Sequence, residues 1–88
     1  SPEVVNNLGA VYWKLGEKKN ALASFEKAIL MRPNYAIARF NVAEAIADDN
    51  PRRAITEYET YLALVEGILE ETDRAALAQK RVQALKHQ

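Results

Sequence analysis

Asn7-Leu8-Gly9-Ala10-Val11-Tyr12, followed by Asn20-Ala21-Leu22-Ala23-Ser24-Phe25, then Ala28 and Pro33, decides the fold of this chain. Leu8, Gly9 and Tyr12 fall on one face of a helix, and a glycine between two bulky residues lets a partner helix cross closely. Ala21, Phe25 and Ala28, spaced by four and three, form one apolar stripe on a second helix that faces back. Pro33 closes that helix, because proline lacks an N–H and disfavours helix at the residue before it. The pattern then returns. Asn41-Val42-Ala43-Glu44-Ala45-Ile46 lies 34 residues after Asn7–Tyr12, and Arg53-Ala54-Ile55 with Tyr58 lies 33 after Asn20-Ala21-Leu22 with Phe25. Ala43 replaces Gly9, Ile46 replaces Tyr12, Tyr61 replaces Ala28, and no proline closes the second copy.

A helical hairpin repeating at this period resembles the tetratricopeptide repeat (TPR), a helix-turn-helix unit of about 34 residues with the pattern W-x2-L-G-x2-Y, A-x3-F, P. Val5 stands where the family often has tryptophan. The resemblance implies an all-α fold of antiparallel helix-turn-helix repeats, a right-handed superhelical solenoid fragment. It divides the single domain, 1–88, into repeat 1 at about 2–34, repeat 2 at about 35–67 and a capping helix at about 73–87. The closing segment, with Tyr61-Leu62, Thr72-Asp73-Arg74-Ala75 and Arg81-Val82-Gln83-Ala84-Leu85, resembles the ends of many bacterial TPR proteins.

The local signals place the helices. The first runs from Pro2 to Leu15 and stops at Gly16; the second is capped by Asn20 and runs to Met31. A third spans Tyr35–Ala47, and Asn50-Pro51 opens a fourth. The fourth helix's stripe, Ile55, Tyr58, Leu62, Val65 and Leu69, continues at heptad spacing, with a break expected between Gly67 and Thr72. A fifth helix, Asp73–Lys86, carries Ala75, Ala78, Val82 and Leu85 on one face and polar residues around the other. A polar outer side suits a terminal helix that covers the last apolar face of a stack.

Composition excludes several classes. Twelve Lys plus Arg balance twelve Asp plus Glu, so there is no electrostatic footprint for nucleic acid. No apolar run has the length of a membrane span, and no leader pattern precedes the first helix. With no cysteine, neither a disulfide framework nor a cysteine metal site can form, which suits any compartment, the cytoplasm first among them. Opening on Ser1-Pro2 without methionine reads as a piece of a longer chain. The one histidine, His87, is next to last, and no phosphate loop, metal-ligand spacing or nucleophile elbow is present. The expectation is therefore no enzyme, no cofactor, and a protein or peptide partner, with a homodimer as an alternative.

In TPR proteins the first helices of successive repeats line a concave groove. The resemblance places there the stripe Asn6, Ala10, Trp13 with Asn7 and Lys14 beside it, and one period on Phe40 and Glu44 with Ile37 and Asn41. Trp13 and Phe40 are then apolar anchors, since aromatics give rigid amphipathic contact area. Lys14 and Glu44 select charge. Asn7 and Asn41, equivalent in the two copies, resemble the asparagine ladder of some TPR proteins, whose amides grip a peptide backbone through both donor and acceptor. Two alternatives stay open: the amides bond the neighbouring helix, and Trp13 packs against Ile37 and Phe40. The carboxylate-clamp pattern of the family does not fit, because Asn6 and Ala10 stand where it needs lysine and asparagine. Two other functions remain beside groove binding: assembly through repeat stacking, and regulation within a larger enzyme.

Overall fold

The computed structural model describes residues 1–88, with five α-helices and no strand. In chain order they are α1 (Pro2–Lys14), α2 (Lys18–Met31), α3 (Ala36–Ile46), α4 (Pro51–Leu64) and α5 (Thr72–Lys86), with a 3-10 turn at Leu69–Glu71 before the last. Each helix packs on the next, giving an α1/α2 hairpin, an α3/α4 hairpin, and α5 closing against α4.

The first hairpin turns on Gly16. Its φ of 79° lets the Glu17 N–H donate to the Tyr12 carbonyl at 2.9 Å and its own N–H donate to Trp13 at 3.1 Å, a Schellman stop. That turn delivers the chain straight into α2, which begins at Lys18, ahead of the expected cap. Asn20 lies inside the helix and donates to the Glu17 carboxylate at 3.1 Å. Asn50 caps α4 as its sequence signature requires, accepting from the Arg53 N–H at 3.2 Å with Pro51 in the first turn. Ser1 does the same for α1, accepting from the Val4 N–H.

Gly9 sits where α1 and α2 cross. A Cβ built there would lie 2.6 Å from two Phe25 ring carbons and 3.2 Å from the Ala21 carbonyl oxygen. Phe25, Ala21 and Ala28 are buried as the stripe requires. Leu8 differs from its expected place in the seam. It is half exposed with Val4, Val11 and Leu15, because no helix lies on that side of α1.

The core deepens toward the second hairpin. Val42, Ala43, Ala54, Tyr58 and Tyr61 are fully buried, and the Phe40 ring meets Tyr58 at 5.7 Å and Tyr61 at 5.3 Å in tilted, edge-on contacts. Helix α4 stops at Leu64 and Leu69 swings out into solvent, so the heptad stripe does not run on. The 3-10 turn instead folds Glu71 back, where it accepts from the Tyr61 hydroxyl at 2.7 Å and from Arg74 at 2.9 Å. This corner fixes where α5 lies. On α5, Ala78 and Val82 are buried and Ala75 and Leu85 pack beside them.

A chain of ions joins the hairpins. Glu57, almost fully buried, accepts from Arg39 of α3 at 3.0 Å and lies 3.5 Å from Arg53, which also grips Glu26 of α2. Arg39 in turn donates to the Pro33 carbonyl at 2.9 Å.

Candidate functional site

Helices α1, α3 and α5 border a cleft of about 310 Å³. Trp13 and Leu77 stand at its edges, each more than a third exposed, over a polar set of Lys14, Asn41, Glu44 and Arg81. Arg81 donates to Glu44 at 3.3 Å across α5 and α3, and that carboxylate pushes the guanidinium pKa still further up. The Lys18 ammonium lies 5.6 Å from the Trp13 ring centroid, so the outer face of the indole carries a cation. A cleft with an indole wall, an aliphatic wall and donors and acceptors of both signs suits a chain segment that alternates apolar and polar groups. It offers no nucleophile, and no cluster of His, Cys, Asp or Glu is placed to hold a metal ion.

A second hollow of about 340 Å³ adjoins it, sharing Trp13, Glu44 and Arg81 and reaching Tyr58. The Tyr58 hydroxyl is buried without a hydrogen-bond partner. Burial pushes its pKa well up, and the nearby Glu44 charge adds to the shift.

The residues that sequence reasoning placed in the groove separate into groups. Trp13, Lys14, Asn41 and Glu44 meet at the cleft. Phe40 reaches its floor, yet only 8% of it is exposed, because α4 and the Arg74 guanidinium (5.8 Å from the ring) enclose it. Asn6 is buried, and its side-chain oxygen accepts from the Asn41 amide at 3.0 Å, tying α1 to α3. Asn7, one residue on, is exposed and makes no side-chain hydrogen bond, while Ile37 packs against the core. The repeat equivalence of Asn7 and Asn41 therefore does not carry over into equivalent contacts, since Asn41 has a preceding helix beside it and Asn7 has none.

Leu77 and Arg81 were not among the expected residues. They come from α5, which is a third wall of the cleft as well as a cap. The signal lay in the spacing of four between an apolar and a basic residue on the flank of α5 adjoining Ala78 and Val82. Their register against α3 depends on the Leu69–Glu71 turn, and no repeat period announces that turn.

Five consecutively packed helices with a cleft along the odd-numbered ones define a helical-hairpin repeat protein. Within that class, residues 2–35 match the tetratricopeptide repeat family, and the consecutive packing of all five helices is consistent with the TPR helical-repeat fold. TPR repeats generally mediate protein–protein interactions and are typically non-catalytic. No curated protein matches the chain. No helix is long and apolar enough to cross a membrane.

Proposed function

We propose that this chain is a single two-repeat domain, with repeats at about 2–34 and 35–67 and a closing helix at about 73–87, that binds an extended peptide or a helix of a partner protein in the α1/α3/α5 cleft. The observation that carries the reading is the pairing of Trp13 with Leu77, two apolar side chains left open over Lys14, Asn41, Glu44 and Arg81. An apolar side chain of the partner lies between Trp13 and Leu77. Its backbone meets the Asn41 amide, which keeps its oxygen and one N–H after bonding Asn6, and the free amide of Asn7 extends the same grip. Lys14 and the Arg81–Glu44 pair read charge on either side. Catalysis has no part in this function.

Trp13 is the chain's one tryptophan, so its emission reports from the cleft. Peptides selected from a random displayed library on the immobilised chain should shift Trp13 fluorescence on binding. Leu77→Glu or Arg81→Ala should weaken them by about tenfold or more while leaving the far-ultraviolet circular dichroism unchanged. Selected peptides that leave Trp13 emission unmoved and tolerate both substitutions would refute the cleft as the binding site.

A further inference from the structure

The cleft has a counterpart one repeat on. Ala10, Trp13, Lys14 and Phe25 border the cleft, and the shifts of 34 and 33 residues carry them to Glu44, Ala47, Asp48 and Tyr58. All four of these border the adjoining hollow of about 340 Å³. Every exchange alters the chemistry. Alanine gives way to glutamate, lysine to aspartate and phenylalanine to tyrosine, while the small Ala47 stands where the first copy has an indole. The repeat thus sets an apolar site and a polar one side by side along the same helices.

Tyr58 is the decisive exchange. Its ring is fully buried against Phe40, and for that packing a phenylalanine would serve, as Phe25 does in the first copy. The hydroxyl is the addition. It is buried with no hydrogen-bond partner, although Glu44 and Arg81 lie near enough for their charges to act on it in opposite directions. Buried polar groups are nearly always bonded, so an unbonded hydroxyl at the edge of a hollow points to a partner from outside the chain. The charges around it select that partner. Lys18 and Arg81 balance Glu44 and Asp48 in the same hollow. An entering carboxylate would meet two carboxylates, and an entering ammonium would meet two cations. A neutral group that both accepts and donates meets neither penalty, and a side-chain carboxamide has one acceptor oxygen and two N–H donors. Acceptors for those donors remain. Glu44 engages Arg81 through Oε1 alone, and the exposed Asp48 makes no ion pair.

We propose that the hollow over Tyr58 is a second, polar subsite that takes a Gln or Asn side chain of the bound partner, beside the apolar residue held between Trp13 and Leu77. The amide oxygen accepts from the Tyr58 hydroxyl, and the amide N–H groups donate to Glu44 Oε2 and Asp48. This subsite rests on the peptide-binding function proposed for the cleft. Arg81 turns outward to admit the amide. Its side chain is 49% exposed and bonds Glu44 once, at 3.3 Å, and opening so exposed a pair costs little.

Peptides selected from a random displayed library serve as the probe, kept where they shift Trp13 emission and lose affinity on Leu77→Glu. Leu77 borders the cleft and not the hollow, so this filter does not favour the subsite. The peptides kept should carry Gln or Asn at a fixed spacing from an apolar residue. Replacing that residue in a synthetic peptide by Met or Glu, both close to Gln in size, should raise the dissociation constant about tenfold. On Tyr58→Phe the Gln and Met peptides should bind alike, with the urea midpoint of the chain no lower than wild type. Asp48→Ala, at an exposed position, should narrow the gap between the same two peptides. Three results overturn the subsite and leave the cleft reading standing. They are cleft-binding peptides with no preference for Gln or Asn, a Glu peptide that binds as well as its Gln parent, and a Gln-over-Met preference that survives Tyr58→Phe (or Asp48→Ala, should the first variant unfold). Peptides that neither shift Trp13 emission nor respond to Leu77→Glu overturn both.

Discussion

Gly9→Ala sets two effects of known size against each other, and the crossing of α1 over α2 decides the sign. In an unobstructed helix interior, alanine in place of glycine stabilises by about 0.8–1 kcal/mol, because less backbone freedom is lost on folding. Here the added methyl would lie 2.6 Å from two ring carbons of Phe25, where ordinary contact begins at 3.4 Å, and 3.2 Å from a backbone oxygen. Phe25, 3% exposed within the core, could yield only toward the cleft that it borders. Overpacking of this kind costs about 1–3 kcal/mol. The net expectation is a loss of about 1 kcal/mol, or roughly 4–8 °C in the midpoint of a domain this small. Urea unfolding followed by circular dichroism measures it. The decisive arm is a double-mutant cycle: once Phe25→Leu has made room, Gly9→Ala should become neutral or stabilising, with a coupling of about 1 kcal/mol or more. If Gly9→Ala stabilises the wild-type chain by about 1 kcal/mol, the helices do not cross as closely as the glycine implies.

Asn6→Ala should cost about 1–2 kcal/mol, by removing a buried side-chain hydrogen bond, whereas Asn7→Ala, exposed and unbonded, should change stability by less than about 0.5 kcal/mol; urea midpoints that reverse this order would place the inter-helix amide at Asn7 instead. Tyr58→Phe should be neutral or stabilising by up to about 1 kcal/mol, since it deletes a hydroxyl without a partner, while Tyr61→Phe should cost about 1 kcal/mol through the lost bond to Glu71. Both tyrosines have pKa values raised by burial, so the unfolded chain loses these protons first. Stability is then full below pH ~10 and falls as pH rises above it, and a pH series of urea midpoints should show Tyr58→Phe reducing that decline. Glu57→Ala should cost about 2–3 kcal/mol, less than a fully buried pair, because Arg39 and Arg53 keep some access to water; a change under about 0.5 kcal/mol in thermal unfolding would show that the ion chain contributes nothing.

What could be read from the sequence follows from how local the controlling interaction is. Gly9 against Phe25, the stripe Ala21-Phe25-Ala28 and the Asn50-Pro51 start each act within one helix or one hairpin, and each stands where its residues place it. The start of α2 departs from the sequence expectation because Asn20 has the chemistry of a cap, while the Gly16 turn starts the helix two residues earlier, at Lys18. Leu8 departs from its expected place for a related reason. The repeat signature assumes neighbours on both sides, and α1 has one on a single side. The Arg53–Glu57–Arg39 chain and the Asn6–Asn41 bond join residues far apart in sequence, with no periodic signal to announce them.

The candidate cleft depends on the least repetitive part of the chain. Trp13, Lys14, Asn41 and Glu44 belong to helices whose relative placement the repeat dictates, so their side of the cleft comes with the fold. Leu77 and Arg81 belong to α5, and α5 is aimed by the corner in which Glu71 takes hydrogen bonds from Tyr61 and Arg74 while Arg74 covers Phe40. A one-residue change in the length of the Leu69–Glu71 turn would displace the Glu71 corner and with it the register of α5 against α3. Such a shift would carry Arg81 away from Glu44 and take one wall from the cleft without altering a single cleft residue. On the function proposed above, selectivity resides as much in that short turn as in the cleft side chains, and a signature that describes only the repeat does not contain it.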